Sequence, residues 1–175
     1  LITNYETVIG QTQNNFPDNA SLLESIATLR MQQGQLDEAI TLYEKVRNLD
    51  PLRIRTLNNL AMALSEAPGR AAEGLDPINS ALKLANDNPE LLDTKGVVLL
   101  KAGRFDEARD VFQQAKSKSD EPRFQFHLIL TLLAQNKQAE AERAWKSLDL
   151  DKLDPAGLTA NEQEKLATMK QEFGS

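Results

Sequence analysis

Apolar residues recur along this chain in alternating helical stripes separated by short polar turns. One stripe holds Leu22, Leu23, Ile26, Ala27 and Leu29, and Gly34 ends it; the next holds Leu36, Ala39, Ile40, Tyr43, Val46 and Leu49. The alternation returns with Leu57, Leu60, Ala61 and Leu64, then with Leu91, Leu92, Gly96, Val98 and Leu99, then with Phe124, Leu128, Ile129 and Leu132. Their companions are Ile78 and Ala81, then Phe105, Ala108, Val111, Phe112 and Ala115, then Ala141, Ala144, Trp145 and Leu148. Helices and turns account for the whole pattern, and no strands are expected. Gly34-Gln35-Leu36-Asp37-Glu38-Ala39 and Gly103-Arg104-Phe105-Asp106-Glu107-Ala108 share one frame, and the unit length is about 34 residues. A helix pair this short cannot bury its own apolar face, so copies must stack. The pattern therefore predicts an all-α fold built as an α-solenoid of antiparallel helix pairs.

The punctuation gives boundaries. A single repeat domain over 1–175 is expected, with the second helix of a truncated repeat at 1–19 and complete repeats at 20–53, 54–88, 89–121 and 122–155. A capping helix follows at 156–175. Asp50-Pro51, Asn88-Pro89 and Asp120-Glu121-Pro122 each read as a cap followed by proline at a first helical position, where no amide donor is needed. Asn136 replaces glycine in the fourth turn, since Asn reaches the left-handed region more readily than most residues. Pro77 falls inside the second helix of the second repeat and predicts a kink. Thr159 with Glu162 forms a capping box, and Leu166, Met169 and Phe173 face inward from the last helix. Leu1, Ile2, Tyr5, Val8 and Ile9 mark a first helix whose partner is missing. Its open face gives self-association as a further expectation, and the chain reads as a piece of something longer.

Composition narrows the function. Hydrophobic residues make up 41% and aromatics 5%, which suits a helical core of Leu and Ala. A net charge of −6 disfavours nucleic acid, whose phosphates demand a basic stripe. The chain has no cysteine, which excludes a disulfide framework and thiolate metal sites but leaves the compartment open. With no apolar run long enough to span a bilayer and no leader pattern, the expectation is a soluble protein of unknown location, cytoplasmic only by default.

These repeats resemble the tetratricopeptide repeat family. Its unit has a small residue where two helices cross closely, an Ala in the second helix, an aromatic four residues later and a Pro near the boundary. Ala27, Ala39, Tyr43 and Pro51 match in the first repeat, Ala61 and Ala81 in the second, and Gly96, Ala108, Phe112 and Ala115 in the third. Asn86 stands in place of the second boundary proline, and Ile129 and Gln138 depart from the pattern in the fourth repeat. Phrases such as Asn58-Asn59-Leu60-Ala61 look like bacterial members.

The resemblance implies a right-handed superhelix whose first helices line a concave, peptide-binding groove. The groove positions would be Glu24, Thr28 and Met31; Asn58, Met62 and Ser65; Asp93, Val97 and Leu100; Phe126, Leu130 and Leu133. They turn from polar to apolar along the chain, which suits an amphipathic helix or an apolar peptide of a partner protein. The apolar strip is alternatively covered by another part of the parent protein or by the terminal helix. Family members that hold a chaperone's carboxylate tail use Lys and Arg there. Glu24, Thr28, Glu90 and Thr94 argue against such a clamp, with only Asn59 suited to one. The expected function is a non-enzymatic adaptor without cofactor or metal; the alternative is a structural segment of a larger enzyme or secretion component.

Catalytic motifs fall away. His127 is the sole histidine and reads as a surface or groove residue with no fixed partner. Ser80-Ala81-Leu82-Lys83 has a serine–lysine spacing without companion motifs. Asp149, Asp151 and Asp154 lack the Gly and Glu of a calcium loop. Asn19-Ala20-Ser21 is a chance glycosylation match.

Overall fold

The computed structural model describes Thr7, Gly10, Gln11 and residues 15–174. The helix expected over Leu1–Phe16, its open face and any self-association through it lie largely outside the described residues. Among those described there are nine α-helices, two 3-10 turns and no strand. The chain divides into two compact units, Leu1–Asn86 and Asp87–Ser175.

In the first unit α1 (Ala20–Gln32) pairs with α2 (Leu36–Leu49), followed by α3 (Ile54–Glu66), a 3-10 turn (Ala71–Gly74) and α4 (Leu75–Leu84). Asn19 starts α1, its side-chain oxygen accepting from the Leu22 amide at 3.0 Å. Gly34 closes it at φ 75°, while the Gly34 amide bonds to Met31 O and the Gln35 amide to Arg30 O. Small residues at the helix crossings, Ala27, Ala39, Ala61 and Ala81, are fully buried beside Tyr43 and Ile78.

Two local expectations need correction. Asp50 and Pro51 do not open α3: they lie in the turn, Arg53 precedes the helix, and Asp50 instead accepts from Arg53 Nε at 3.2 Å. Pro77 does not kink a helix interior. It sits in the first turn of α4, where a missing amide costs little. Ahead of it Ala71–Gly74 forms a 3-10 turn, in which the Glu73 amide bonds to Arg70 O and the Leu75 amide to Ala72 O.

The second unit holds α5 (Pro89–Lys101), α6 (Phe105–Lys118), α7 (Pro122–Ala134), α8 (Gln138–Lys146), a 3-10 turn (Pro155–Gly157) and α9 (Ala160–Phe173). Asn88 caps α5 by accepting from the amides of Glu90 and Leu91. Gly103 and Asn136 repeat the turn made by Gly34, each with positive φ and the same pair of backbone bonds. Asn136 reaches this conformation because its short polar side chain tolerates it. Gly96 is required for another reason: a Cβ there would stand 2.4 Å from the buried Phe112 ring. In the connector, Asp149 pairs with Lys152 and Asp154 accepts from the Ala156 amide, so these acids serve local turns.

Candidate functional site

The first helices of each repeat, α1, α3, α5 and α7, carry the positions expected to meet a ligand. On α1, Glu24 is only 1% exposed and turned into the protein. Its Oε1 accepts from Thr56 Oγ1 at 2.7 Å, and its Oε2 accepts from Arg53 at 3.1 Å and from Arg55. Burial pushes the Glu24 carboxyl up, yet Arg55, Thr56 and Arg53 outweigh that and hold it below its ordinary value. The result is a charged link from α1 to the start of α3. Thr28, one turn further on, shares a hydrogen bond of 3.0 Å with the Tyr43 hydroxyl.

The second unit repeats the device with different chemistry. Asp93, on α5, is buried and takes His127 Nδ1–H of α7 at 2.7 Å, while its other oxygen lies 3.2 Å from Arg123 Nε. Glu90 binds the same Arg123. On the far side of the imidazole, Nε2 lies 3.3 Å from Glu162 Oε1 on α9, close enough for an ion contact but poorly aligned for a hydrogen bond. Phe112 and Phe126 stand against the ring, with centroids 5.4 and 6.1 Å away. Burial disfavours the imidazolium, but Asp93 and Glu162 outweigh it, and His127 is pushed up to about 9. Burial likewise works against the Glu162 carboxylate, and His127 and Thr159 bring it down to about 2. The expectation of a surface or groove histidine without a fixed partner is therefore wrong: His127 is a buried imidazolium held between carboxylates from two neighbouring helices.

Of the expected groove positions, half are closed. Glu24, Ser65, Asp93, Val97, Phe126 and Leu130 are buried, committed to packing or ion pairs. Thr28, Met31, Asn58 and Met62 in the first unit, and Leu100 and Leu133 in the second, remain half-buried. The residues missed from sequence were Arg53, Arg55 and Arg123 as acid partners, and Glu162. The signal was present in the spacing: His127 follows Asp93 by 34 residues, one repeat length, which puts both at one register on successive first helices.

The remaining candidates are structural. Ser80 Oγ donates to the Asp76 carbonyl on its own helix, and Asn19 caps α1. Among the described residues no cluster of His, Asp or Glu is arranged to hold a metal ion, and no helix is long and apolar enough to cross a membrane.

Paired helices with a close small-residue crossing, a glycine turn and an aromatic in the second helix define a helical repeat protein. The tetratricopeptide repeat model matches residues 5–89 and 94–149, and the chain belongs to that family. It is 36% identical over 98 residues to the tetratricopeptide repeat protein 36 homolog of Drosophila melanogaster, a match covering 53% of this chain and 52% of the fly protein. The chain thus spans about half the length of that relative. Three solved structures share the fold. A tetratricopeptide repeat protein of Parabacteroides merdae superposes with TM-score 0.77 at 16% identity, covering 95% of this chain and 65% of the other. A thermophilic protein of the family from Thermus thermophilus gives 0.71 at 17%, covering 93% and 87%. MamA of Desulfovibrio magneticus gives 0.70 at 13%, covering 80% and 79%. The fold is consistent with a protein–protein interaction scaffold.

Proposed function

We propose that this chain is a protein-interaction module in which the first-helix faces of each unit, α1 and α3 in the first and α5 and α7 in the second, present a surface to a partner protein. One observation carries the reading. Each first helix keeps half-buried positions on the expected face: Thr28 and Met31 on α1, Asn58 and Met62 on α3, Leu100 on α5 and Leu133 on α7. Half-buried methionine and leucine beside polar threonine and asparagine suit an extended peptide or an amphipathic helix. The methionines adapt to ligands of different shape. Rigid helix pairs lose little backbone entropy on binding, so a modest stripe suffices for useful affinity. The test begins with partners identified by mass spectrometry after co-purification. Synthetic peptides from them are then titrated against the parent chain and against Met31→Glu plus Met62→Glu. A drop in affinity of roughly tenfold or more is expected, since two charges would be buried against the ligand. Equal affinity for both chains would place the binding elsewhere.

A further inference from the structure

The C-terminal helix α9 is attached to its unit along one narrow stripe. Glu162, Leu166 and Met169 are buried at i, i+4 and i+7, Phe173 is half-buried, and every other residue of the helix is exposed. Facing it, α7 presents His127 to Glu162, and further along its length Leu130, Leu133 and Ala134. Between these residues and Met169 a cleft of about 550 Å³ stays open. So α9 is held by four inward-facing side chains and by Trp145 of α8, whose Nε1 donates to the Gly174 carbonyl, and an open groove runs beside it along Leu130 and Leu133, two of the apolar positions expected to receive a ligand.

We propose that α9 is an exchangeable ligand held in cis, replaced on the α7 face by a partner helix bearing the same acid–leucine–methionine stripe, whose acidic residue meets His127. This rests on reading the first-helix faces as binding surfaces, and adds the partner's chemistry and its gate. The acid follows from the geometry of the ring. Asp93 of α5 already takes Nδ1–H, and Arg123 of α7 is occupied by Asp93 and Glu90. Nε2–H is left facing Glu162 alone, in a site 3% exposed. A partner without a carboxylate at that point would strand a buried charged donor. The apolar requirement follows from the cleft: a side chain larger than Met169 at the i+7 position fills more of it and binds better. The tether gives α9 a local concentration on the order of millimolar, so a partner must displace it rather than find a vacant face.

The test uses the full chain and a fluorescein-labelled synthetic peptide of residues 158–174, followed by anisotropy. The peptide is expected to bind the chain carrying Leu166→Ala and Met169→Ala at least tenfold more tightly than the parent, because the in-cis helix is weakened. A Glu162→Gln peptide is expected to bind that chain at least fivefold more weakly than the native peptide, and one with Met169→Phe more tightly. Hydrogen exchange in α5 to α7 checks that the unit stays folded; if the double substitution unfolds it, the Glu162→Gln chain takes its place. Equal binding to parent and variant, binding to neither, or indifference to Glu162 in the peptide overturns the proposal. A natural partner peptide that depends on Met31 and Met62 but not on α9 would leave the broader reading standing while ending this one.

Discussion

Replacing Gly96 with alanine sets helix propensity against packing, and the geometry decides which wins. In an open helix interior the change stabilises by about 1 kcal/mol, because glycine loses more backbone entropy than alanine. Here the new methyl would stand 2.4 to 2.6 Å from three carbons of the Phe112 ring. Ordinary carbon–carbon contact needs about 3.5 Å or more, so the ring must retreat by about 1 Å. It has nowhere open to go: Phe112 is 0% exposed, and the His127 ring lies 5.4 Å away, fixed by Asp93. Overpacking of this kind costs about 1–3 kcal/mol, leaving a net loss of up to about 2 kcal/mol after the propensity gain. Urea titration followed by circular dichroism measures the loss, and hydrogen exchange in α5 and α6 locates it, since repeat arrays need not unfold in one step. Phe112→Leu in the same chain makes room for the methyl, so the double variant should lose about 1 kcal/mol less than the two single losses added. The first unit shows why the position is not always glycine. Ala27 stands at the equivalent place, and there Tyr43 is anchored through its hydroxyl to Thr28. Stabilisation by Gly96→Ala, or strict additivity in the double variant, would refute the reasoning.

Two further outcomes follow from the ion pairs. His127, held at about 9 against an ordinary 6.5, contributes stability that is complete below 6.5 and fades as pH rises through 9. Glu162, held at about 2 against 4.5, contributes stability that is complete above 4.5 and fades as pH falls towards 2. The single tryptophan reports on this contact, because Trp145 Nε1 donates to the Gly174 carbonyl just beyond α9 at 2.8 Å and its ring centroid lies 5.9 Å from that of Phe173. Its emission should show α9 docked most firmly between pH 4.5 and 6.5 and progressively weakened as pH rises through about 9. The alkaline slope should vanish in His127→Gln, and a slope that persists there counts against the assignment. Glu24→Ala leaves the buried Thr56 hydroxyl without its acceptor, while Arg55 is open to solvent and Arg53 keeps Asp50, for an expected loss of about 1–3 kcal/mol. Glu24→Gln keeps the Thr56 bond and should lose less, so equal urea midpoints for the two variants would contradict the network.

Features that depend on near neighbours were legible in the amino-acid order. The turns at Gly34, Gly103 and Asn136, the Asn88–Pro89 helix start and the Thr159–Glu162 capping box are each decided by residues within a few positions of one another. The repeat period was legible for another reason, since the same small-residue and aromatic pattern recurs along the chain. Misreadings arose where a residue's surroundings come from the next repeat. Glu24 and Asp93 occupy the register that a lone helix pair would leave open, and they are buried because Arg55, Thr56, Arg123 and His127 arrive there from the following first helix, with Arg53 from the residue just before it. His127 looked isolated because both its partners lie about one repeat length away along the chain. Backbone geometry and capping are local energies, and a single sequence displays them directly. Burial and charge are properties of the assembled neighbourhood, so only the packed helices could decide that half the expected binding face is sealed and which acid completes the charge on His127.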